Sequence, residues 1–210
     1  MLTRRSFIAS SATMLAASTA HAQTAGALQV TVAPDAVDPS AIQLPPNFEG
    51  NYQIPEHLQA RIVPVQAGLT PNDIHIMPQS YHLYFILPDD RAIRYGVAVG
   101  REGLGWSGAA RIGRKVEWPS WRPTDDMIER DPTHYAQYAD GMPGGPTNPL
   151  GARAMYFYQG ERDTAIRVHG TTSPRSIGRS ASSGCFRMYN SHVTDLYARV
   201  PLGAGAFAYS

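Results

Sequence analysis

Cysteine is almost missing from this 210-residue chain: Cys185 is the only one. A lone cysteine excludes an internal disulfide and leaves two readings, a buried inert thiol or a reactive one. Lysine is just as scarce, with Lys115 the only one, and the structure-free sequence offers no functional account of that bias. Neither sign of charge prevails, since 18 basic residues face 17 acidic ones. That balance gives no electrostatic footprint for nucleic acid. No stretch reaches the ~20 consecutive apolar residues of a membrane-spanning helix. Repeats and heptads are also absent, which excludes solenoids and coiled coils.

What is present at the N-terminus is a targeting pattern. Arg4 and Arg5 form a positive region, Ile8 to Ala17 is a short run of small and apolar residues, and Ala20-His21-Ala22 is an A-x-A cleavage site. "TRRSFI" has the form of a twin-arginine signal, with an ordinary secretory signal as the alternative. Residues 1–22 are therefore expected to be a signal peptide, with the mature chain starting near Gln23 and residing in the periplasm. Removing Arg4 and Arg5 takes the net charge from +1 to −1. No cysteine follows the apolar run, so a lipid anchor at the cleavage site is excluded. An exported protein meets an environment in which disulfides form, which sharpens the question of an unpaired thiol.

Residues 23–70 are rich in Pro and Ala and read as a linker and an N-terminal arm. Residues 71–210 read as one mostly-β domain. Strands are expected at about 73–77, 81–87 and 91–99, with turn chemistry at Pro88-Asp89-Asp90. From 101 to 149, Gly, Pro, Trp and charged residues crowd together, and this segment is expected to be a loop-rich lid with one short helix starting at Thr124. Gly103-Leu104-Gly105 and Gly144-Gly145 are its candidate hinges, and Trp118 or Trp121 its candidate groove-lining aromatics. Strands return in "ARAMYFYQ" and "TAIRVHG". A helix follows with Asn190 as a plausible N-cap, Val193, Leu196, Tyr197 and Val200 at helical spacing and Pro201 as its stop, and "GAFAYS" reads as a last strand.

The chemistry concentrates in "HGTTSPRSIGRSASSGCFRM", His169 to Met188. Cys185 has small, polar neighbours, unusual company for an inert core thiol. Arg175, Arg179 and Arg187 surround it in sequence, and positive charge favours the thiolate. Gly184 permits close backbone approach, so that the N–H groups of Gly184 and Cys185 can face a developing oxyanion. His169 is a candidate base for the thiol. These features leave a Cys–His acyl-transfer site and a mobile Ser/Gly surface loop both open. Trp106, Trp118 and Trp121 are candidates for stacking on sugars or, more ordinarily, for anchoring loops. His75, His82, His134 and His192 are scattered without metal-ligand spacing, so no metal site is expected. The carboxylates Asp125, Asp126 and Glu129 read as a solvated helix face.

The same segment resembles the signature of the L,D-transpeptidases, the YkuD-type catalytic domain. The resemblance rests on His169, Gly170, Ser182, Gly184, Cys185, Phe186 and Arg187, and extends over about 71–210. It implies a mostly-β, sandwich-like fold with one or two short helices and an active site under a lid, and no cofactor. It implies peptidoglycan stem peptides as partner, of the meso-diaminopimelate type, with no nucleic acid and no membrane span, and a carbapenem as covalent inhibitor. Carried over residue by residue, Cys185 is the nucleophile, His169 the base and the Gly170 carbonyl the group that orients its imidazole. Gly184 and Cys185 supply oxyanion donors, Ser182 and Ser183 shape the substrate pocket, and Arg187 holds the loop or binds a substrate carboxylate. The implied reaction is acyl transfer through a thioester on Cys185 to give 3→3 cross-links. Water or a lipoprotein lysine as acceptor, a bond-cleaving relative, and a non-catalytic wall-binding protein on the same fold are the alternatives.

Overall fold

The computed structural model describes residues 42–101 and 105–210. The expected signal peptide, most of the linker, and Gly103 and Leu104 of one candidate hinge lie outside these residues. A small hairpin, β1 (Phe48–Glu49) and β2 (Tyr52–Gln53), precedes a 3-10 turn and the strand β3 (Arg61–Pro64). Then come β4 (Ile74–Met77), β5 (His82–Leu87), β6 (Arg91–Gly96), β7 (Val99–Gly100) and the long β8 (Gly108–Glu117). Two short helices, α1 (Asp125–Arg130) and α2 (Pro132–Tyr135), lead to β9 (Arg153–Gln159) and β10 (Arg162–His169). The chain ends with β11 (Ser180–Ser182), β12 (Phe186–Arg187), α3 (Asn190–Arg199) and β13 (Gly205–Ala208).

Nine strands form one mixed sheet in the order β12-β10-β9-β8-β13-β4-β5-β6-β3, and β11 pairs with β7 in a separate ribbon. The strand β5 reads HLYFIL and is buried along nearly its whole length, as a central strand covered on both faces should be. It turns into β6 through Asp89 and Asp90, both in the left-handed region that Asp tolerates better than most residues. Ile74, Ile76, Leu83 and Phe85 from one half of the sheet share a single core with Ile112, Met155, Phe157 and Val168 from the other. Val193 and Leu196 of α3 complete it. Layers meeting over one core make the sandwich-like arrangement.

The fold is mostly β, as expected, with three short α-helices among the described residues where one or two were expected. Two further differences from the sequence expectations have physical reasons. Residues 108–117 are not part of a lid: β8 lies in the middle of the large sheet, paired with β9 and β13. Its sequence, GAARIGRKVE, buries only Ile112 fully and shows no apolar alternation, so its strand character comes from having a partner on each side. Gly113 is needed there because a Cβ would stand 2.4 Å from the Tyr158 ring. Residues 61–64, assigned to the N-terminal arm, form the edge strand β3 against β6. The cover thus starts after Glu117 and runs to about 149. Gly144 in it is a packing glycine rather than a hinge, since a Cβ would meet the Trp118 backbone.

Candidate active site

The strand β10 carries an irregularity between Asp163 and Arg167. Ala165 within it has φ +61°, an uncommon conformation for a residue with a Cβ. Local side chains support it. Asp163 Oδ1 accepts from the Ala165 N–H at 2.8 Å, and Thr164 Oγ1 accepts from the Ile166 N–H at 3.2 Å while donating to the Phe157 carbonyl at 2.8 Å. The Ala165 carbonyl accepts from Arg167 Nη1 at 2.7 Å and from the Cys185 thiol at 3.7 Å. Two residues beyond Arg167 the strand ends at His169, on the same face. Cys185 immediately precedes β12, which runs parallel to β10 with His169 opposite Arg187. A sixteen-residue separation in sequence (185 minus 169) is thereby closed onto neighbouring strands.

His169 is buried, and its Nδ1 donates to the Gly170 carbonyl at 2.6 Å. A carbonyl can only accept, so Nδ1 carries the proton and the neutral ring has its lone pair on Nε2. Asn190 holds this corner. It is not the N-cap of α3, which is Tyr189. It is the first residue of the helix, and its side chain faces inward. Its Oδ1 accepts from the Ala152 N–H at 2.9 Å and its Nδ2 donates to the Thr171 carbonyl at 2.8 Å. A Cβ on Gly170 or Gly151 would stand 2.2 Å from that oxygen. The glycine after His169 is required by this close approach.

Ser182 is buried and braces the cysteine loop: its Oγ donates to the Cys185 carbonyl at 2.5 Å and accepts from the Gly184 N–H at 3.3 Å. Gly184 has φ +125°, which favours glycine, and its N–H already has an acceptor in Ser182. Ser183 is exposed and lines the adjoining cavity.

Burial pushes the Cys185 thiol up, and Arg167 followed by Arg187 acts against it. Burial also lowers His169 to about 4, partly opposed by its hydrogen bond to the Gly170 carbonyl and reinforced by Arg187 and Arg167. These shifts favour a neutral thiol and a neutral imidazole at rest, both lining one cavity. Positive neighbours in sequence pointed toward a thiolate, but desolvation is the larger effect. The arginines that act on the thiol also differ from those expected. Arg187 does act, while Arg175 is exposed with its guanidinium 5.9 Å from the Tyr52 ring centre, and Arg179 is exposed. Arg167 was missed. Its position two residues before His169 on a strand, which puts both on one face, was the available signal.

Cys185, His169, Ser182, Ser183, Arg167 and Arg187 line one open cavity of about 1020 Å³. Its opposite wall belongs to the cover, through Trp121, Met127, Tyr135 and Tyr138. Trp121 is held there by Tyr138 and Tyr135, at ring distances of 5.9 and 6.3 Å. Of the other tryptophans, Trp106 packs edge-on against Phe157 of the core at 5.6 Å, and Trp118 is exposed. Among the described residues no group of three His, Cys, Asp or Glu side chains is placed to hold a metal ion.

Residues 71–206 match the family model described as the L,D-transpeptidase catalytic domain, YkuD. The chain belongs to this family. The chain is 28% identical over 177 residues to the probable L,D-transpeptidase ErfK/SrfK of Escherichia coli K12, covering 79% of the chain and 51% of that protein. The chain spans about half the length, 46% and 51%, of the curated relatives it first matches. Among solved structures, it is 52% identical to a Brucella melitensis protein described as a probable carnitine operon oxidoreductase. That likeness has a TM-score of 0.51 over 71% of this chain and 92% of the other. The Enterococcus faecium L,D-transpeptidase, in a mutant form, shares the fold at 13% identity and a TM-score of 0.51, over 67% of this chain and 50% of that one.

Proposed function

We propose that this L,D-transpeptidase domain acts on peptidoglycan stem peptides through a thioester on Cys185 and forms 3→3 cross-links. The observation that carries the reading is one cavity shared by the only thiol of the chain and an imidazole whose Nδ1 is fixed on the Gly170 carbonyl. In the first step Cys185 Sγ attacks the carbonyl at the L-centre of the third stem residue. His169 Nε2 takes the thiol proton and delivers it to the departing amine of the terminal D-residue. The developing oxyanion lies against the N–H of Cys185, joined by that of Gly184 once it leaves Ser182 Oγ. In the second step an amine of a neighbouring stem attacks the thioester, His169 takes up its proton, and the thiol is released. A cavity at the upper end of the ~300–1,000 Å³ range of small-molecule sites supports two peptide chains, donor and acceptor, rather than a compact metabolite. The third residue of the donor is meso-diaminopimelate in this reading, and the mature chain, starting near Gln23, works in the periplasm. Among the described residues no helix is long and apolar enough to cross a membrane. The name of the Brucella relative speaks of oxidoreduction; the reading here follows the thiol–imidazole pair, whose chemistry is acyl transfer.

Mass spectrometry of the purified protein incubated with disaccharide-tetrapeptide is the test. The expected result is an acyl-enzyme on the peptide containing Cys185 and a dimer linked through two third residues. Cross-linking retained by Cys185→Ala would refute the proposal. His169→Ala should lose roughly 100- to 10,000-fold in rate with the fold intact.

A further inference from the structure

Tyr156 of β9 stands between two arginines. In register, it faces Arg114 on β8 and Arg167 on β10. Both guanidinium carbons lie 4.7 Å from its ring centre. The ring is buried, while Arg114 is exposed and Arg167 half-buried. One phenol thus holds two positive charges rooted two strand spacings apart, about 10 Å at the backbone. Among the described residues neither arginine pairs with a carboxylate, whereas Arg111, Arg122, Arg153 and Arg199 each do. A second, smaller cavity is lined by Arg114, Tyr156 and Arg167, together with Arg122 and one carboxylate, Asp140. It shares Tyr156, Arg167 and Trp121 with the cavity of Cys185, so the two are continuous.

We infer that Arg114 and Arg167, set on either side of Tyr156, form a carboxylate subsite that takes the free carboxylate of the peptide residue next to the carbonyl attacked by Cys185. The inference rests on the acyl-transfer reading and adds a specificity element to it. Guanidinium groups stacked on an aromatic ring keep their N–H edges free, and those edges bind carboxylates with two parallel hydrogen bonds. Arg167 shares the Ala165 carbonyl with the thiol. In the sheet order β12-β10-β9, a carboxylate seated over Tyr156 lies about two strand spacings, roughly 10 Å, from the backbone of Cys185. That distance is about three residues of extended α-linked peptide at ~3.3–3.6 Å each, and a γ-linkage, which keeps extra side-chain carbons in the chain, gives the α-carboxylate of the adjoining residue a similar reach. An acidic stem peptide presents such a group: the α-carboxylate of its γ-linked D-glutamate, next to the third residue. Arg167 also bears on the thiol, so Arg114, exposed and two strands further away, is the cleaner probe.

Binding is measured by calorimetry on the full chain carrying Cys185→Ala. The probes are the tetrapeptide L-Ala-γ-D-Glu-meso-diaminopimelate-D-Ala and the same peptide with the glutamate α-carboxylate converted to an amide. The amide should bind about tenfold more weakly, the scale of one charge-assisted contact. Adding Arg114→Gln should bring the two peptides to nearly equal affinity by weakening only the acid. Equal binding of acid and amide before that substitution, an equal loss for both after it, or binding of neither would overturn the subsite. A protein with native Cys185 that discriminates the peptides in this way yet forms no acyl-enzyme would sink the acyl-transfer reading and leave the subsite standing. Acylation without discrimination would do the reverse.

Discussion

The thiol of Cys185 and the guanidinium of Arg167 meet at one acceptor, the Ala165 carbonyl, 3.7 Å from Sγ and 2.7 Å from Nη1. The left-handed backbone at Ala165 allows this meeting, since a regular strand would turn successive carbonyls to its neighbours instead. Arg167 is the largest influence opposing the burial that raises the thiol. Replacing it by Gln should raise the thiol further and shift the midpoint of iodoacetamide alkylation of Cys185 to higher pH. At pH 7 the alkylation rate should fall several-fold, because less of the thiol is ionised. A rate that rises would show that Arg167 shields the thiol rather than favouring its ionisation.

Asn190 carries a second prediction. Its side chain joins the Ala152 N–H to the Thr171 carbonyl and passes within contact of Gly170, next to the catalytic imidazole of the proposed mechanism. Asn190→Ala removes both bonds and leaves two backbone groups near His169 without partners. The expected cost is about 1–3 kcal/mol of stability, read as a lower urea midpoint with an unchanged slope. Activity should fall as well, because the Gly170 carbonyl that orients His169 is no longer fixed. Gly170→Ala should do the same by collision with the Asn190 oxygen. A variant that is less stable but fully active would confine Asn190 to a packing role.

The hairpin of β5 and β6, the strands β9 and β10, and α3 were legible in the sequence because each carries its own pattern: Val, Ile, Tyr and Phe runs, Asp-rich turns, or helical spacing. The strand β8 was not, because arginines and glycines in it face outward or pack under Tyr158, and only its neighbours make it a strand. The motif around Cys185 put the thiol and His169 in view, but the spatial partners were beyond it. Arg167, Tyr156 and Asn190 reach the site through strand register and a helix start, information that lies in pairing rather than in neighbouring letters. Arg175 and Arg179 show the converse, since sequence proximity to Cys185 did not bring their side chains to bear on the thiol.

Buried histidines are expected to set the acid limit of the fold, His169 and His192 foremost, with His75 also lowered by burial. His169 and His192 are both lowered to about 4, in each case chiefly by burial. Asp195 partly opposes this at His192. Both titrate near 6.5 in the unfolded chain. Between pH 6.5 and 4 the unfolded state therefore binds more protons, and stability rises with pH. The contribution is fully present above about 6.5, declines as pH falls, and is lost below the folded value of about 4. Each histidine accounts for up to roughly 3 kcal/mol across that window. Thermal unfolding between pH 4 and 7 should show a steep loss on the acid side, and His192→Leu should flatten it. An unchanged slope in that variant would mean that His192 meets water or charge in solution and is not held neutral.

The neutral thiol–imidazole pair makes a distinctive forecast for a carbapenem. Such a drug is expected to acylate Cys185, raising the intact mass by one molecule on the peptide that contains it. The pH dependence is the informative part. A base with an ordinary histidine value would lose acylation as pH falls through about 6.5. His169, at about 4, stays unprotonated well below that. The raised thiol places the other limb on the alkaline side. The acylation rate should therefore show no break near 6.5 and should climb toward alkaline pH as the thiolate fraction grows, because attack requires loss of the thiol proton. In Arg167→Gln the alkaline limb should move to higher pH, and the acid side should move up as well, because Arg167 also helps to lower His169. A single break near 6.5 in the native protein would instead indicate a preformed thiolate–imidazolium pair, and the view that burial outweighs Arg167 and Arg187 at this site would have to be abandoned.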